Sequence, residues 1–442
     1  MVGQICDNDW SRFEIYARNV RILDLTLPSE AVATDVYVQL ARLHPDPLLP
    51  GLQKMNIPTI ADNSIDTLAP LFHCVTSTLS SVNIGIINGP KAELFTTSFL
   101  SALARDAVGL RDLSIDARVR SEAIDILMNS PSVRNLKLSI YSPIFQSNFS
   151  KLLGLPGVSS VTVNFSHAGS LVGSPPATFG HLQSFNRLKA IRIAGNGEQI
   201  KQVFSILPLL LGGIEDVDVF FQGPPYWATF YTWQGAPLTL RHLKLETGHL
   251  PNAMPLPELR LREFSIYSRN IASLELKGFG LQATDADILK ICEWGNWANL
   301  EILHLPCFGP ESVSVLILSQ ISRCCPQLRS LHICVDLNLH DNDNLRKAIA
   351  TNIERRTPSH KLERLEISSV QPPRTTVFHQ GLLLAQYIDS VFPHIKSLAA
   401  YCNRDGIYWD EIWHAVSCCQ VWRTQLVSTT NSVTTGETAS QS

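Results

Sequence analysis

At 442 residues, with 45% apolar side chains and a formal net charge of −3, the chain is too long for one compact core. It is also too evenly charged to recruit nucleic acid or an anionic membrane through a global field. Length therefore points to two domains or to a repeat array. The opening MVGQICDNDW lacks the charged stretch and apolar core of a secretory signal. The longest apolar run, around Val203–Ile214, contains Pro208 and is too short to span a bilayer. Ten cysteines occur, eight of them after residue 290, with no CxxC pair and with doublets at Cys324–Cys325 and Cys418–Cys419. Without a signal they read as reduced, mostly buried thiols of a cytoplasmic or nuclear protein, and the sequons at Asn148 and Asn164 stay unused.

Taken in chain order, the first element is a capping helix within residues 1–19, with Trp10, Phe13, Tyr16 and Ala17 at helical spacing over the first strand. From residue 20 to residue 404 one pattern, aliphatic-x-x-aliphatic-x-aliphatic, recurs. It begins at Val20, Leu52, Leu79, Leu110, Val133, Val158, Leu188, Ile214, Leu240, Leu261, Ile271, Leu300, Leu328, Leu362 and, degenerately, Ile395. Helix-like segments such as SEAIDILMNS and ESVSVLILSQISRC precede most copies. Pro131, Pro156, Pro326 and Pro393 each stand two residues before an anchor, where proline ends a helix. The copies at Leu261 and Ile271 lie too close together for both to be repeat strands. A second capping helix is expected over 405–423, with Trp409, Ile412, Trp413, Val416 and Cys419 inward. The Ser/Thr-rich residues 424–442 are expected to be disordered.

Strand plus helix at this spacing predicts an α/β leucine-rich-repeat solenoid of right-handed connection, with a curved parallel sheet on the concave side and helices on the convex side. Strand alternation sends positions 0, +3 and +5 inward and presents +2, +4 and +6 on the concave face. Along four successive strands the +4 row reads Glu275, His304, His332, Glu366, with Cys334 at +6 nearby. It is a solvated ladder whose carboxylates favour charged imidazoles, or a partner-binding patch that responds to pH between roughly 5 and 8. A zinc site is disfavoured, because ligands on a parallel sheet do not converge tetrahedrally. The other half of the row reads Lys137, Thr162, Arg192, Asp218, Lys244, with Asp216 at +2, and suggests cross-strand ion pairing or electrostatic recognition. In the aromatic stretch VFFQGPPYWATFYTW, Phe220 falls at +6 on the concave face. Tyr226, Phe230 and Trp233 form a buried helix stripe, and Trp227 and Tyr231 lie on its flank.

Two sequences that imitate chemistry are set aside. GIINGPK, from Gly85, is one residue short of a phosphate loop and continues into Ala. HAVSCC, with His414, Ser417 and Cys418, falls in the expected C-terminal cap and reads as core packing. No GxSxG elbow or matched nucleophile–base pair occurs. No catalytic residue, cofactor or metal is expected.

The repeats, together with RFEIYARNVRILDL, VYVQLARLHPDPLLPGL and WANLEILHLPCF, resemble the leucine-rich tails of fungal F-box proteins over most of residues 10–423. In that family an F-box ahead of the repeats docks on the adaptor of a cullin ubiquitin ligase, and the repeats select the substrate. The resemblance thus implies a monomeric, non-enzymatic substrate receptor that binds a protein on its concave face. The F-box opens on Leu-Pro-x-Glu. The one candidate here, LPSEAVATDVYVQLARL at Leu27, follows the first repeat strand and reads as a repeat helix, so adaptor binding would need an F-box upstream. The alternatives are a stand-alone scaffold without a ubiquitin link and a small-molecule receptor on the concave face. Ran GTPase-activating proteins are also leucine-rich solenoids, but carry Asn or Cys at +8, where only Asn196 and Asn403 conform.

Overall fold

The computed structural model describes residues 7–25, 47–88, 90–117, 121–130, 132–141, 143–155, 157–166, 169–172, 187–206, 213–223, 239–248, 258–260, 270–278, 280–282, 284–293, 297–305, 313–336, 342–354, 360–369, 378–400 and 406–437. They belong to two compact units, Met1–Pro237 and Leu238–Ser442, each an α/β solenoid-like layer of parallel strands flanked by helices.

In the first unit the strands are β1 (Ile22–Asp24), β2 (Lys54–Ile57), β3 (Ile60–Ala61), β4 (Ser81–Asn88), β5 (Asp112–Ala117), β6 (Asn135–Ile140), β7 (Ile144–Phe145), β8 (Ser160–Phe165), β9 (Leu171–Val172), β10 (Ala190–Gly195) and β11 (Asp216–Phe221). The sheet runs β1-β2-β4-β5-β6-β8-β10-β11, with β3 beside β4, and β7 and β9 form a separate two-stranded ribbon. The helices are α1 (Asp7–Ala17), α2 (Pro90–Asp106), α3 (Ser121–Leu127), α4 (Gln146–Leu153) and α5 (Gly197–Ile206), with a 3-10 segment at Asp62–Cys74. Consecutive helices pack on one another, α2 on α3 and α3 on α4.

The second unit holds β12 (His242–Thr247), β13 (Glu258–Arg260), β14 (Ser273–Lys277), β15 (Gly280–Gln282), β16 (Ile302–Leu305), β17 (Ser330–Val335), β18 (Arg364–Ser369) and β19 (Ser397–Ala400). Its sheet order is β12-β14-β16-β17-β18-β19, and β13 and β15 pair separately. The helices are α6 (Asp285–Glu293), α7 (Ile317–Cys324), α8 (Asn342–Glu354), α9 (Phe378–Val391) and α10 (Gly406–Glu437). Because β14 pairs directly with β12, the copy at Ile271 is the repeat strand. The copy at Leu261 lies outside the described residues.

The aliphatic pattern forms these strands through a repeated backbone device. Many anchors close a turn onto the carbonyl three residues earlier, as Leu79 N–H does to Thr76 at 3.2 Å and Leu328 N–H to Cys325 at 3.0 Å, whereas Leu362 N–H donates to the His360 ring at 3.1 Å. The next two N–H groups then both donate to one carbonyl of the preceding strand. Ser80 and Ser81 reach Gln53 at 2.9 and 3.0 Å, and Glu363 and Arg364 reach Arg329 at 2.9 and 3.0 Å. Backbone donors at these strand entrances are thereby satisfied, and successive strands start level. Equivalent pattern positions stand side by side, so the +4 residues form rows. Positions 0, +3 and +5 are buried, as in Val158, Val161 and Val163, while +2 and +4 of β8, β10 and β11 are half-buried or exposed.

Two expectations need correction. Ala17 is buried and Phe13 half-buried, but Tyr16, expected to face inward, is 68% exposed. The C-terminal helix does not stop near residue 423: α10 continues to Glu437, so most of the stretch expected to be disordered is helical. Once Trp409, Ile412 and Val416 are packed, the costly helix nucleus exists and each added turn needs only propagation. The sequence around Leu27 and the aromatic positions Tyr226–Trp233 lie outside the described residues.

Candidate functional site

In the second unit the expected row assembles in register. Lys244 stands opposite Glu275, Glu275 opposite His304, His304 opposite His332, and His332 opposite Glu366. The two imidazole rings meet edge to face with centroids 5.5 Å apart. A carboxylate flanks each: Glu275 Oε2 lies 3.5 Å from His304 Nδ1, and Glu366 Oε2 lies 3.7 Å from His332 Nδ1. Both distances exceed those of good charge-assisted hydrogen bonds, so neither pair is tightly clamped. Glu275 is held instead by Lys277 Nζ at 2.9 Å, two residues along its own strand, as Lys244 is held by Glu246 at 2.7 Å. Lys277 at +6 belongs to the site and escaped the sequence reading, which followed the +4 row alone.

The electrostatics reverse the expectation of charged histidines. Burial is the largest influence on His304; the Glu275 charge opposes it and loses, so the pKa is lowered. For His332 burial leads, the His304 and Lys277 charges act in the same direction, and the value falls to about 4. The cause is the burial of His332, only 3% exposed although it stands on the +4 row. On β17 Leu331, His332, Ile333, Cys334 and Val335 are all buried, so the strand lacks the alternation seen on β8 and β10. Both imidazoles are neutral near pH 7, and the expected titration between pH 5 and 8 does not apply to His332. Burial works to raise the Glu275 carboxyl, but the hydrogen bond and charge of Lys277, then the charges of His304 and Lys244, outweigh it and hold it low. The row thus presents to a partner one half-buried neutral ring, His304, and two half-buried carboxylates, Glu275 and Glu366, while the His332 ring is buried beneath the surface. Among the described residues no group of three His, Cys, Asp or Glu side chains is placed to hold a metal ion.

In the first unit the row is Asn83, Ser114, Lys137, Thr162, Arg192, Asp218. Of its charges only Arg192 and Asp218 pair across strands, at 3.8 Å with Arg192 68% exposed, which is a contact of little energetic weight. Lys137 is exposed and stands between Ser114 and Thr162, not beside a carboxylate. Asn83, Ser114, Lys137 and Thr162 border a shallow depression of about 160 Å³. Phe220, 37% exposed, lies on the same side as Asp218, while the next ring, Phe221, is fully buried.

The imitators resolve differently. Gly85 is glycine for packing: a Cβ there would lie 2.7 Å from the Pro58 carbonyl carbon and 2.9 Å from Ile57 O. Within HAVSCC Val416 is buried core, but His414 and Cys418 are exposed on α10. Cys74 and Cys325 are buried, and burial pushes the Cys74 thiol up to about 12, which makes it inert. Among the described residues no helix is long and apolar enough to cross a membrane.

No protein-family model matches the sequence, and no curated protein is significantly similar to it.

Proposed function

We propose that the protein is a partner-binding solenoid, not an enzyme, and that its second unit receives a protein segment on the sheet face carrying Glu275, His304, His332 and Glu366. The observation that supports this most is the ordered row itself. Charged and neutral polar side chains are brought level by the strand-entrance hydrogen bonds and backed by fully buried Leu274, Leu303, Leu331 and Leu365. A rigid sheet that presents half-desolvated polar groups is what electrostatically specific recognition needs. In the first unit Lys137, Arg192, Asp218 and Phe220 provide a further charged and aromatic patch, and in the second Lys244 adds a cationic contact beside Glu275. The resemblance to fungal F-box proteins makes the substrate-receptor role in a ubiquitin ligase the preferred cellular setting, in cytoplasm or nucleus.

A photo-crosslinking residue at Glu246, on this face, and another at exposed Ser101 on α2 separate face recognition from chance capture. The reading requires a covalent partner at Glu246 that Glu366→Lys abolishes and Ser101 never captures. Equal capture at both positions refutes it. Co-purification of the ligase adaptor with the complete gene product tests the ligase setting independently.

A further inference from the structure

The C-terminal helix α10 has two faces. One, with Trp409, Ile412 and Val416 exposed by no more than 2%, packs on β19 and α9. Arg423 fastens it with bonds to the Asp389 carboxylate at 3.0 Å and the Pro393 carbonyl at 2.6 Å. The other carries Tyr408, Glu411, Ala415, Cys418 and Trp422, spaced 3, 4, 3 and 4 residues apart along one stripe. This stripe forms one wall of a groove of about 910 Å³, and Gly381, Leu382 and Gln386 of α9 form the other. The outer face of a terminal cap is ordinarily polar. Here Trp422 is 72% exposed, Leu382 is 36% exposed, and small Ala415 and Cys418 leave the middle of the groove open.

Its charge is one-sided. Asp410 and Glu411 line the groove with His414, and among the described residues no lysine or arginine does. Arg423, the nearest cation along the helix, is already committed to Asp389 and Pro393. Burial, followed by the Glu411 charge, pushes the Tyr408 phenol up to about 12, while Asp410 and Glu411 beside it are exposed and open to a partner's cations. A second copy laid parallel would set Glu411 against Glu411. Laid antiparallel, it would bring Glu411 to the partner's Trp422 and to an arginine that is not free.

We propose that this groove is a second docking site, separate from the sheet face. Its occupant is an amphipathic helix of another protein, with apolar residues at i, i+3 or i+4, and i+7 and with lysine or arginine on the flank facing Asp410 and Glu411. The 3–4 spacing of the stripe is that of a helix–helix seam, and an apolar groove read by such anchors is a recurring mode of helix recognition. Tyr408 to Trp422 spans about 21 Å of helix at 1.5 Å per residue, so about four turns of partner fill it.

Two fluorescent 18-residue helical peptides with leucine along one stripe, one flanked by lysines and the other by glutamates, test this against the full chain by anisotropy. The lysine peptide binds, and the glutamate peptide binds at least tenfold more weakly. Trp422→Ala, at an exposed position, weakens the lysine peptide at least tenfold. The double variant Asp410→Lys, Glu411→Lys reverses the preference. Equal binding of both peptides, binding of neither, or an unchanged preference in the double variant overturns the proposal. Sedimentation in parallel gives the other occupant its chance: a concentration-dependent dimer that Trp422→Ala dissolves assigns the groove to a second copy and overturns it as well.

Discussion

Acid should weaken the second unit through His332, and removing that side chain should remove much of the effect. In the native state burial, the His304 ring and Lys277 depress the His332 pKa to about 4, below the ordinary histidine value of about 6.5. In the unfolded chain the ring recovers its ordinary value. A lowered native pKa on a basic group means that the unfolded state binds the proton first. The contribution is therefore fully present above pH 6.5 and is lost as pH falls towards 4. At about 1.36 kcal/mol for each tenfold change in proton affinity, the fall from about 6.5 to about 4 corresponds to a loss of about 3 kcal/mol across that window. His304 shifts in the same direction and adds to the slope. Urea unfolding of the full chain by tryptophan emission at pH 7.5, 6.0, 5.0 and 4.0, for wild type and His332→Gln, measures the difference. The variant starts from a lower stability but declines less steeply, and the two stabilities converge by about 3 kcal/mol at pH 4. Parallel pH profiles would show that His332 is protonated as easily in the native state as in the unfolded one, and the burial argument would fail.

Three further expectations follow from single sites. Gly278 has φ +78°, and a Cβ there would meet Thr247 Oγ1 at 2.6 Å and Thr247 O at 2.9 Å. Gly278→Ala should therefore cost about 1–3 kcal/mol in unfolding free energy, and a loss below 0.5 kcal/mol refutes the strain. Buried Gln199 accepts from Asn196 N–H at 2.7 Å and donates to the Ser166 carbonyl at 2.8 Å and to that of Gly169. Gln199→Ala leaves these groups unsatisfied and should cost about 2–3 kcal/mol, with faster amide exchange at the start of α5 as its local signature. Arg192→Ala, by contrast, should change stability by no more than about 0.5 kcal/mol, because its partner Asp218 is 3.8 Å away across open solvent.

Much of the fold was legible because strand alternation is a local property. The aliphatic triplet states which residues of each strand face inward, and spacing states where the next strand begins. That was enough to place Glu275, His304, His332 and Glu366 side by side before any coordinate was known. What those side chains do was not legible, because protonation depends on burial, and burial depends on neighbours far away in sequence. The alternation assigns His332 to the solvent face, yet β17 is buried on both sides, and the ring is neutral for that reason. Glu275 shows the same limit: its strongest attractive partner is Lys277 on its own strand, not the histidine opposite.

The two ends of the chain show where sequence stops and tertiary structure begins. Composition marked the residues after 423 as unstructured, since nothing in them buries apolar surface. The helix runs through them to Glu437 because its first turns are anchored by Trp409, Ile412 and Val416. HAVSCC read as core because its helix was expected to bury one stripe. Only packing against α9 shows that a second stripe, from Tyr408 to Trp422, is left lining a groove. Periodicity by itself determined the repeats, their register and the inward face, because these rest on backbone geometry two to four residues in range. Tertiary structure alone decided charge state, ion-pair partners and which apolar faces remain uncovered, because each is a property of surfaces brought together from distant parts of the chain.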